Sequence, residues 1–100
     1  MKWQQWLVLS CGLCSGFSFA HFPVMECQKQ ADHILCQAGY SDGSPASNET
    51  VRVFDYDDVL IDMGKTDQRS QVTLSIPSGD YYIVFDPGHE APVEIDGVEL

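Results

Sequence analysis

The residue best placed to do chemistry is His21, because it stands at the junction between an apolar leader and the rest of the chain. A basic Lys2, an apolar stretch, and the small residues Ser18 and Ala20 before the junction are typical of a bacterial secretory signal cleaved after Ala20. The mature chain would then begin with histidine. A free α-amino group and an imidazole on one residue form a chelate suited to Cu(II), Ni(II) or Co(II).

Two other interpretations of the leader remain. A membrane anchor needs about 20 consecutive apolar residues, and this run is shorter and is broken by serines and glycines. A lipoprotein signal is the second alternative, because Val8-Leu9-Ser10-Cys11 loosely resembles a lipobox. Lipidation at Cys11 would leave His21 internal and abolish the chelate. The favoured prediction is a signal peptide over 1–20 and one domain over 21–100. The mature chain would be periplasmic or secreted and would have no transmembrane helix.

His89 and His33 are the other candidate metal ligands. His89 lies in a loop directly after a predicted strand, where binding residues are common, although an exposed loop histidine is often only solvated. His33 has the opposite strand parity to Ile34 and Cys36, so its side chain is expected on the solvent side. The candidate metal set is therefore His21, His89 and His33, with the N-terminal chelate at its centre.

The chain is strongly acidic. Its formal net charge is −10, and removal of residues 1–20 leaves four basic side chains against fifteen carboxylates, a net charge of −11. Such a surface repels phosphate backbones and anionic lipid, so nucleic acid is not expected as a partner. It would concentrate cations mildly, although solubility alone also accounts for acidic exported proteins.

Two cysteines, Cys27 and Cys36, remain after removal of the leader, and a pair in an oxidising compartment is typical of a disulfide. A hairpin of strands 24–30 and 33–40 that turns at residues 31–32 would place Cys27 directly opposite Cys36. Facing positions on antiparallel strands have the Cα separation that a disulfide needs. A bridge across so short a loop is worth about 2.5–3 kcal/mol in the chain-entropy model.

The rest of the chain alternates apolar and polar residues with a period of two, as half-buried strands do. Turn signals recur every eight to twelve residues, which is the spacing found in β-sandwiches. The sequence predicts an all-β, small seven-stranded sandwich of the immunoglobulin or transthyretin type. The predicted core is Ile34, Cys36, Val51, Val53, Val59, Ile61, Val72, Leu74, Ile76, Tyr81, Ile83 and Phe85.

Four motifs carry a resemblance to a family. The series Gly39-Tyr40-Ser41-Asp42-Gly43-Ser44-Pro45-Ala46, Val51-Arg52-Val53-Phe54-Asp55, Gly64-Lys65-Thr66-Asp67 and Ile76-Pro77-Ser78-Gly79-Asp80-Tyr81 resembles the transthyretin-like or carboxypeptidase-regulatory-like sandwich domains. The chain departs from that pattern at Ser70, where those families usually have glycine. A different turn is therefore expected before the next strand.

Within that fold, the chain resembles small periplasmic proteins associated with nickel and cobalt uptake. The shared features are Ala20-His21 at the cleavage site, a short hairpin before the glycine-rich turn, and Asp86-Pro87-Gly88-His89 after the penultimate strand. The resemblance implies an accessory protein that binds a transition metal ion (Ni, Co or Cu) and serves a membrane transport complex. Members of that group often carry a C-terminal membrane helix, which this sequence does not show.

An enzyme is the class least favoured by the sequence, because no nucleophile with a partner base can be nominated. The alternative to metal binding is a metal-free extracytoplasmic adhesion or assembly module. Such a module would dock a partner on an edge of the sandwich or on the face that carries Phe54, Tyr56 and Tyr82.

Overall fold

The structure, a computed structural model, describes residues 21–100. The predicted signal peptide over 1–20 and the alternative lipidation site at Cys11 lie outside the described residues. Seven strands and one short 3-10 helix follow: β1 Pro23–Lys29, β2 Ile34–Tyr40, β3 Thr50–Asp55, β4 Leu60–Lys65, β5 Gln71–Leu74, β6 Tyr81–Phe85, β7 Val93–Asp96 and η1 Gly97–Glu99.

The strands form two antiparallel sheets that pack face to face. One sheet has the order β1-β2-β5 and the other the order β4-β3-β6-β7. Alternate residues of each strand point inward, so the period of two in the sequence becomes one shared apolar core. Its largest fully buried side chains are Phe85, Ile34, Leu74, Ile83, Val51 and Val53. The predicted all-β, seven-stranded sandwich is confirmed.

The hairpin of β1 and β2 has the predicted register. Cys27 pairs with Cys36 across the strands, and their sulfur atoms form a disulfide with an S–S distance of 2.03 Å and a Cα–Cα distance of 4.0 Å. Cys36 is fully buried. The disulfide therefore joins β1, an edge strand of the three-stranded sheet, to β2 beside the core.

The prediction that Val59 and Ile61 belong to the core is wrong. Val59 is exposed because it lies in the connection that precedes β4, whereas Ile61 is exposed because the pairing of β3 with β4 shifts by one residue at Phe54, which pairs with Leu60. The shift is a β-bulge that leaves Ile61 unpaired and turns the next residues to the opposite face. Asp62 and Gly64 take the inward positions instead.

Glycine at position 64 is required by close packing between the sheets. A Cβ atom added to Gly64 would lie 2.8 Å from Cγ2 of Val72 on β5. The carboxylate of Asp62 accepts a hydrogen bond from the backbone N–H of Ser75 at 2.9 Å. β4 therefore packs against β5 through the backbone of Gly64, and the carboxylate of Asp62 caps the backbone N–H of Ser75. The predicted core residue Ile76 is only partly buried and lies beyond β5.

The turn before β5 places Ser70 in a backbone conformation that favours glycine. Ser70 adopts a φ of 64°, in the left-handed region, and its N–H donates to the carbonyl of Asp67 at 3.0 Å. Its buried hydroxyl accepts a hydrogen bond from the N–H of Ala46 at 2.9 Å. Glycine would adopt this φ more easily, but the serine hydroxyl supplies a hydrogen bond that holds the loop before β3 in place.

The end of the chain completes the second sheet. β7 pairs with β6, and the carboxylate of Asp96 then accepts a hydrogen bond from the N–H of Val98 at the start of η1. Across residues 21–100, no helix has the length and apolar character needed to cross a membrane.

Candidate metal centre

Backbone hydrogen bonds place His21 against the turn that follows β2. The ladder of β1 and β2 ends at Pro23 opposite Tyr40, and two further bonds extend it. The N–H of Ser41 donates to the carbonyl of Phe22 at 2.8 Å, and the N–H of Phe22 donates to the hydroxyl of Ser41 at 3.0 Å. These two bonds hold the backbone directly after His21 at this end of the sandwich.

His89 reaches the same end from the other sheet. β6 ends at Phe85, and the carboxylate of Asp86 then accepts a hydrogen bond from the N–H of Gly88 at 3.0 Å. Gly88 has a φ of 99°, a conformation that favours glycine because a side chain would be strained there. This tight turn carries the chain into His89 directly after the strand.

Tyr40 joins the two histidines to the core. Its ring stacks on the ring of His89, with centroids 5.9 Å apart and an interplanar angle of 22°, and it contacts the fully buried Phe85 at 6.1 Å. The ring of His21 meets Tyr40 edge-on at 5.6 Å. Burial, followed by the nearby carboxylate of Glu49, raises the pKa of Tyr40. Its hydroxyl therefore keeps its proton at neutral pH, and Tyr40 acts as a support for the two imidazoles.

The imidazoles of His21 and His89 are neighbours. Their ring centroids are 6.2 Å apart, and the rings are almost perpendicular at 89°. Both side chains belong to exposed residues. The structure thus brings together two of the three predicted ligands on a surface that a metal ion could reach.

Asp42 is a site residue that the sequence analysis did not identify. In the sequence, its position in the glycine-rich turn is explained by the turn alone. Its Oδ2 atom lies 3.5 Å from Nδ1 of His21, whereas its Oδ1 atom accepts hydrogen bonds from the N–H and the hydroxyl of Ser44 at 3.0 and 2.6 Å. The bonds from Ser44, with a smaller contribution from His21, lower the pKa of Asp42. A negatively charged oxygen therefore faces His21. Only the fold of the turn shows this proximity.

His33 does not join the cluster. It lies at the turn of the β1–β2 hairpin, the end opposite to His21, and its Nδ1 is 2.7 Å from Oδ1 of Asp32. That hydrogen bond lowers the pKa of Asp32. The structure therefore separates the third predicted ligand from the other two.

Side chains alone do not complete a metal centre at this end. Within residues 21–100, no group of three His, Cys, Asp or Glu side chains is close enough to hold a metal ion. His21 and His89 supply two imidazole nitrogens, and a further strong donor has to come from another group. The α-amino group that cleavage after Ala20 would create is such a donor, and it would belong to His21 itself.

Comparison of the chain with protein-family models, with curated proteins and with solved structures finds no match.

Proposed function

We propose that this protein is an exported transition-metal-binding accessory protein that holds Ni(II), Co(II) or Cu(II) at the end of the sandwich formed by His21 and His89. The observation that carries the proposal is the 6.2 Å separation of the two imidazole rings. Borderline metal ions of this series prefer imidazole and amine nitrogen; the two imidazoles lie together at this end, and cleavage after Ala20 would add the amine.

The surroundings of the two histidines fit this donor set. The amine and the Nδ1 of an N-terminal histidine can bind one metal ion as a chelate, and Oδ2 of Asp42 already lies beside that Nδ1. Tyr40 restrains the ring of His89, so less conformational entropy is lost when a metal binds. Because Asp42 faces the nitrogen that the chelate would use, its carboxylate would place a negative charge close to the bound cation.

The biological setting of the proposal comes from the leader and the resemblance. A secretory signal and a disulfide fit an oxidising compartment such as the periplasm, and the acidic surface raises the local concentration of cations. The similarity to proteins associated with nickel and cobalt uptake supports delivery of the metal to a membrane transport complex.

Isothermal titration calorimetry with Ni(II) and with Cu(II) tests the proposal. The samples are protein that starts at His21, the same protein with an additional N-terminal Gly-Ser, and a His89→Ala variant. We expect the extension and the substitution each to weaken binding by at least about tenfold, or about 1.4 kcal/mol. His33→Ala is the matched control, because His33 also lies beside an aspartate but at the other end of the hairpin.

Equal affinity for protein starting at His21 and for the extended protein would rule out the N-terminal chelate. A loss of affinity in His33→Ala equal to that in His89→Ala would show general binding to surface histidines. Either result would favour a metal-free adhesion or assembly role.

A further inference from the structure

The outer surface of the four-stranded sheet carries an apolar face, defined here as Phe54, Leu60, Met63 and Tyr82. Strand register places Leu60, Phe54 and Tyr82 side by side across β4, β3 and β6, and Met63 follows in the next row. The rings of Phe54 and Tyr82 stack with centroids 5.4 Å apart and an interplanar angle of 22°. The β-bulge in β4 places Leu60 and Met63, which are three residues apart in the chain, on the same face of the sheet.

Apolar exposure is concentrated around this face. Residues 21–100 include eight exposed large apolar side chains, and five of them lie in one short segment, namely Tyr56, Val59, Leu60, Ile61 and Met63. Leu60 is 45% exposed and Met63 is 47% exposed. Single exposed apolar side chains are normal, whereas a contiguous group on a soluble domain marks an interaction surface.

An acidic hollow adjoins the apolar face. It has a volume of about 540 Å³ and is lined by Asp58, Tyr82, Glu94, Asp96 and Glu99. Tyr82 belongs to both surfaces, because its ring lies in the apolar face and its hydroxyl donates a hydrogen bond to Asp58 at 2.5 Å. The hydroxyl of Tyr56 donates to Asp96 at 2.6 Å. These bonds raise the pKa of Tyr82 and of Tyr56 to about 12, so both phenols stay neutral, and the bond from Tyr56 lowers the pKa of Asp96.

The charge of this hollow has no counterpart within the described chain. The ion pairs found in residues 21–100 both join a histidine to an aspartate, and no lysine or arginine lies within ion-pair distance of a carboxylate there. Arg52, which pairs with Met63 one row further along β3, is likewise beyond ion-pair distance of any carboxylate in residues 21–100. A cation from a partner would therefore meet carboxylates that have no cationic partner within residues 21–100. The two stacked aromatic rings beside them also attract cations.

We infer that the apolar face and the acidic hollow together bind a segment of another protein that carries arginine or lysine next to aliphatic side chains. The aliphatic side chains would pack on Leu60 and Met63, and the cation would enter the hollow beside Tyr82. A second copy of this chain fits less well, because face-to-face pairing would bring together two hollows of the same charge, and residues 21–100 already carry a net charge of −11.

This surface is separate from the proposed metal centre. Tyr82 pairs with Phe54 near the end of β3, whereas Phe85, which contacts Tyr40 beside His89, pairs with Val51 near its start. The two surfaces therefore lie toward opposite ends of the second sheet. Failure of metal binding would leave this inference intact, and the reverse also holds.

The test uses the exported protein, free of metal, and a fluorescein-labelled peptide that alternates lysine with leucine, followed by fluorescence anisotropy. We expect Leu60→Ser combined with Met63→Ser, and Asp58→Asn combined with Glu94→Gln, each to weaken binding by about tenfold or more. All four positions are exposed, so the folded state should persist, and circular dichroism checks this. Val24→Ser is the matched control, because Val24 is 40% exposed on the other sheet. It should change affinity less than about twofold.

Several results would overturn the inference. A peptide that alternates lysine with serine binding equally well would show attraction by charge alone, and one that alternates glutamate with leucine binding equally well would show hydrophobic adsorption alone. Unchanged affinity in either double variant, or an equal loss in Val24→Ser, would place the contact elsewhere. A dimer in sedimentation experiments that Leu60→Ser with Met63→Ser dissociates would assign the face to a second copy of this chain.

Discussion

The imidazoles of His21 and His89 lie edge to face with their centroids 6.2 Å apart, although one residue precedes the first strand and the other follows the sixth. Tyr40 contacts both rings. The arrangement depends on the two sheets together, because β1 delivers His21 and β6 delivers His89.

The first prediction concerns the N-terminus. Cleavage after Ala20 should give an exported protein that starts at His21, and intact mass spectrometry of protein purified from the periplasm measures this directly. A mass that corresponds to a diacylglyceryl group on Cys11 would contradict it and would leave no free amine on His21.

The second prediction concerns the pH dependence of metal binding. Affinity should fall as the pH is lowered toward 6 and below, because protons compete with the metal ion for its nitrogen donors. Asp42 should not contribute to that decline, since its lowered pKa keeps the carboxylate ionised well below pH 6. Calorimetry at several pH values should therefore give Asp42→Asn a weaker affinity than the parent protein at each pH, because the variant lacks the negative charge 3.5 Å from the imidazole. Equal affinity of the two proteins at every pH would show that Asp42 takes no part in binding.

The third prediction concerns the disulfide. Native exported protein should show no thiol that reacts with a thiol reagent until it is denatured and reduced. Replacement of Cys27 and Cys36 by serine should destabilise the fold by about 2.5–3 kcal/mol in the chain-entropy model, with the far-ultraviolet sheet signal retained. Thermal unfolding followed by circular dichroism measures both quantities. Two reactive thiols in the native sample would reject the bridge.

The fourth prediction concerns the turn before β5. Ser70→Ala should cost about 1–3 kcal/mol, because the N–H of Ala46 loses its buried acceptor. Ser70→Gly loses the same bond but relieves the positive φ, so it should cost less than Ser70→Ala by about 1 kcal/mol. Urea denaturation of the two variants gives the comparison. Equal stability of the two would show that the backbone at position 70 is unstrained.

The fifth prediction concerns the contact between β4 and β5. Gly64→Ala should destabilise the protein by about 1–3 kcal/mol, because the added methyl group meets the buried side chain of Val72. Gly79→Ala is the control, since a Cβ atom there meets nothing within 4 Å. Its effect should stay within about 0.5 kcal/mol. A neutral Gly64→Ala variant would mean that β4 can move away from β5 without loss.

Local information in the sequence determined the strands and the hairpin. The alternation of apolar and polar residues predicts the all-β fold because a strand places successive side chains on opposite faces. The positions of Cys27 and Cys36 around a short turn predict their pairing, since antiparallel register is fixed by the turn that joins two strands. Both results depend on residues close together in the chain.

Only the tertiary structure decided which face of β4 is buried and which histidines meet. The shift in pairing beside Phe54 leaves Ile61 exposed, and Asp62 and Gly64 take the inward positions of β4 instead. His21 lies beside both Asp42 and His89 because the two sheets stack with these three segments at one end. Such distances depend on contacts between segments far apart in the chain, which a periodic pattern within one strand does not contain.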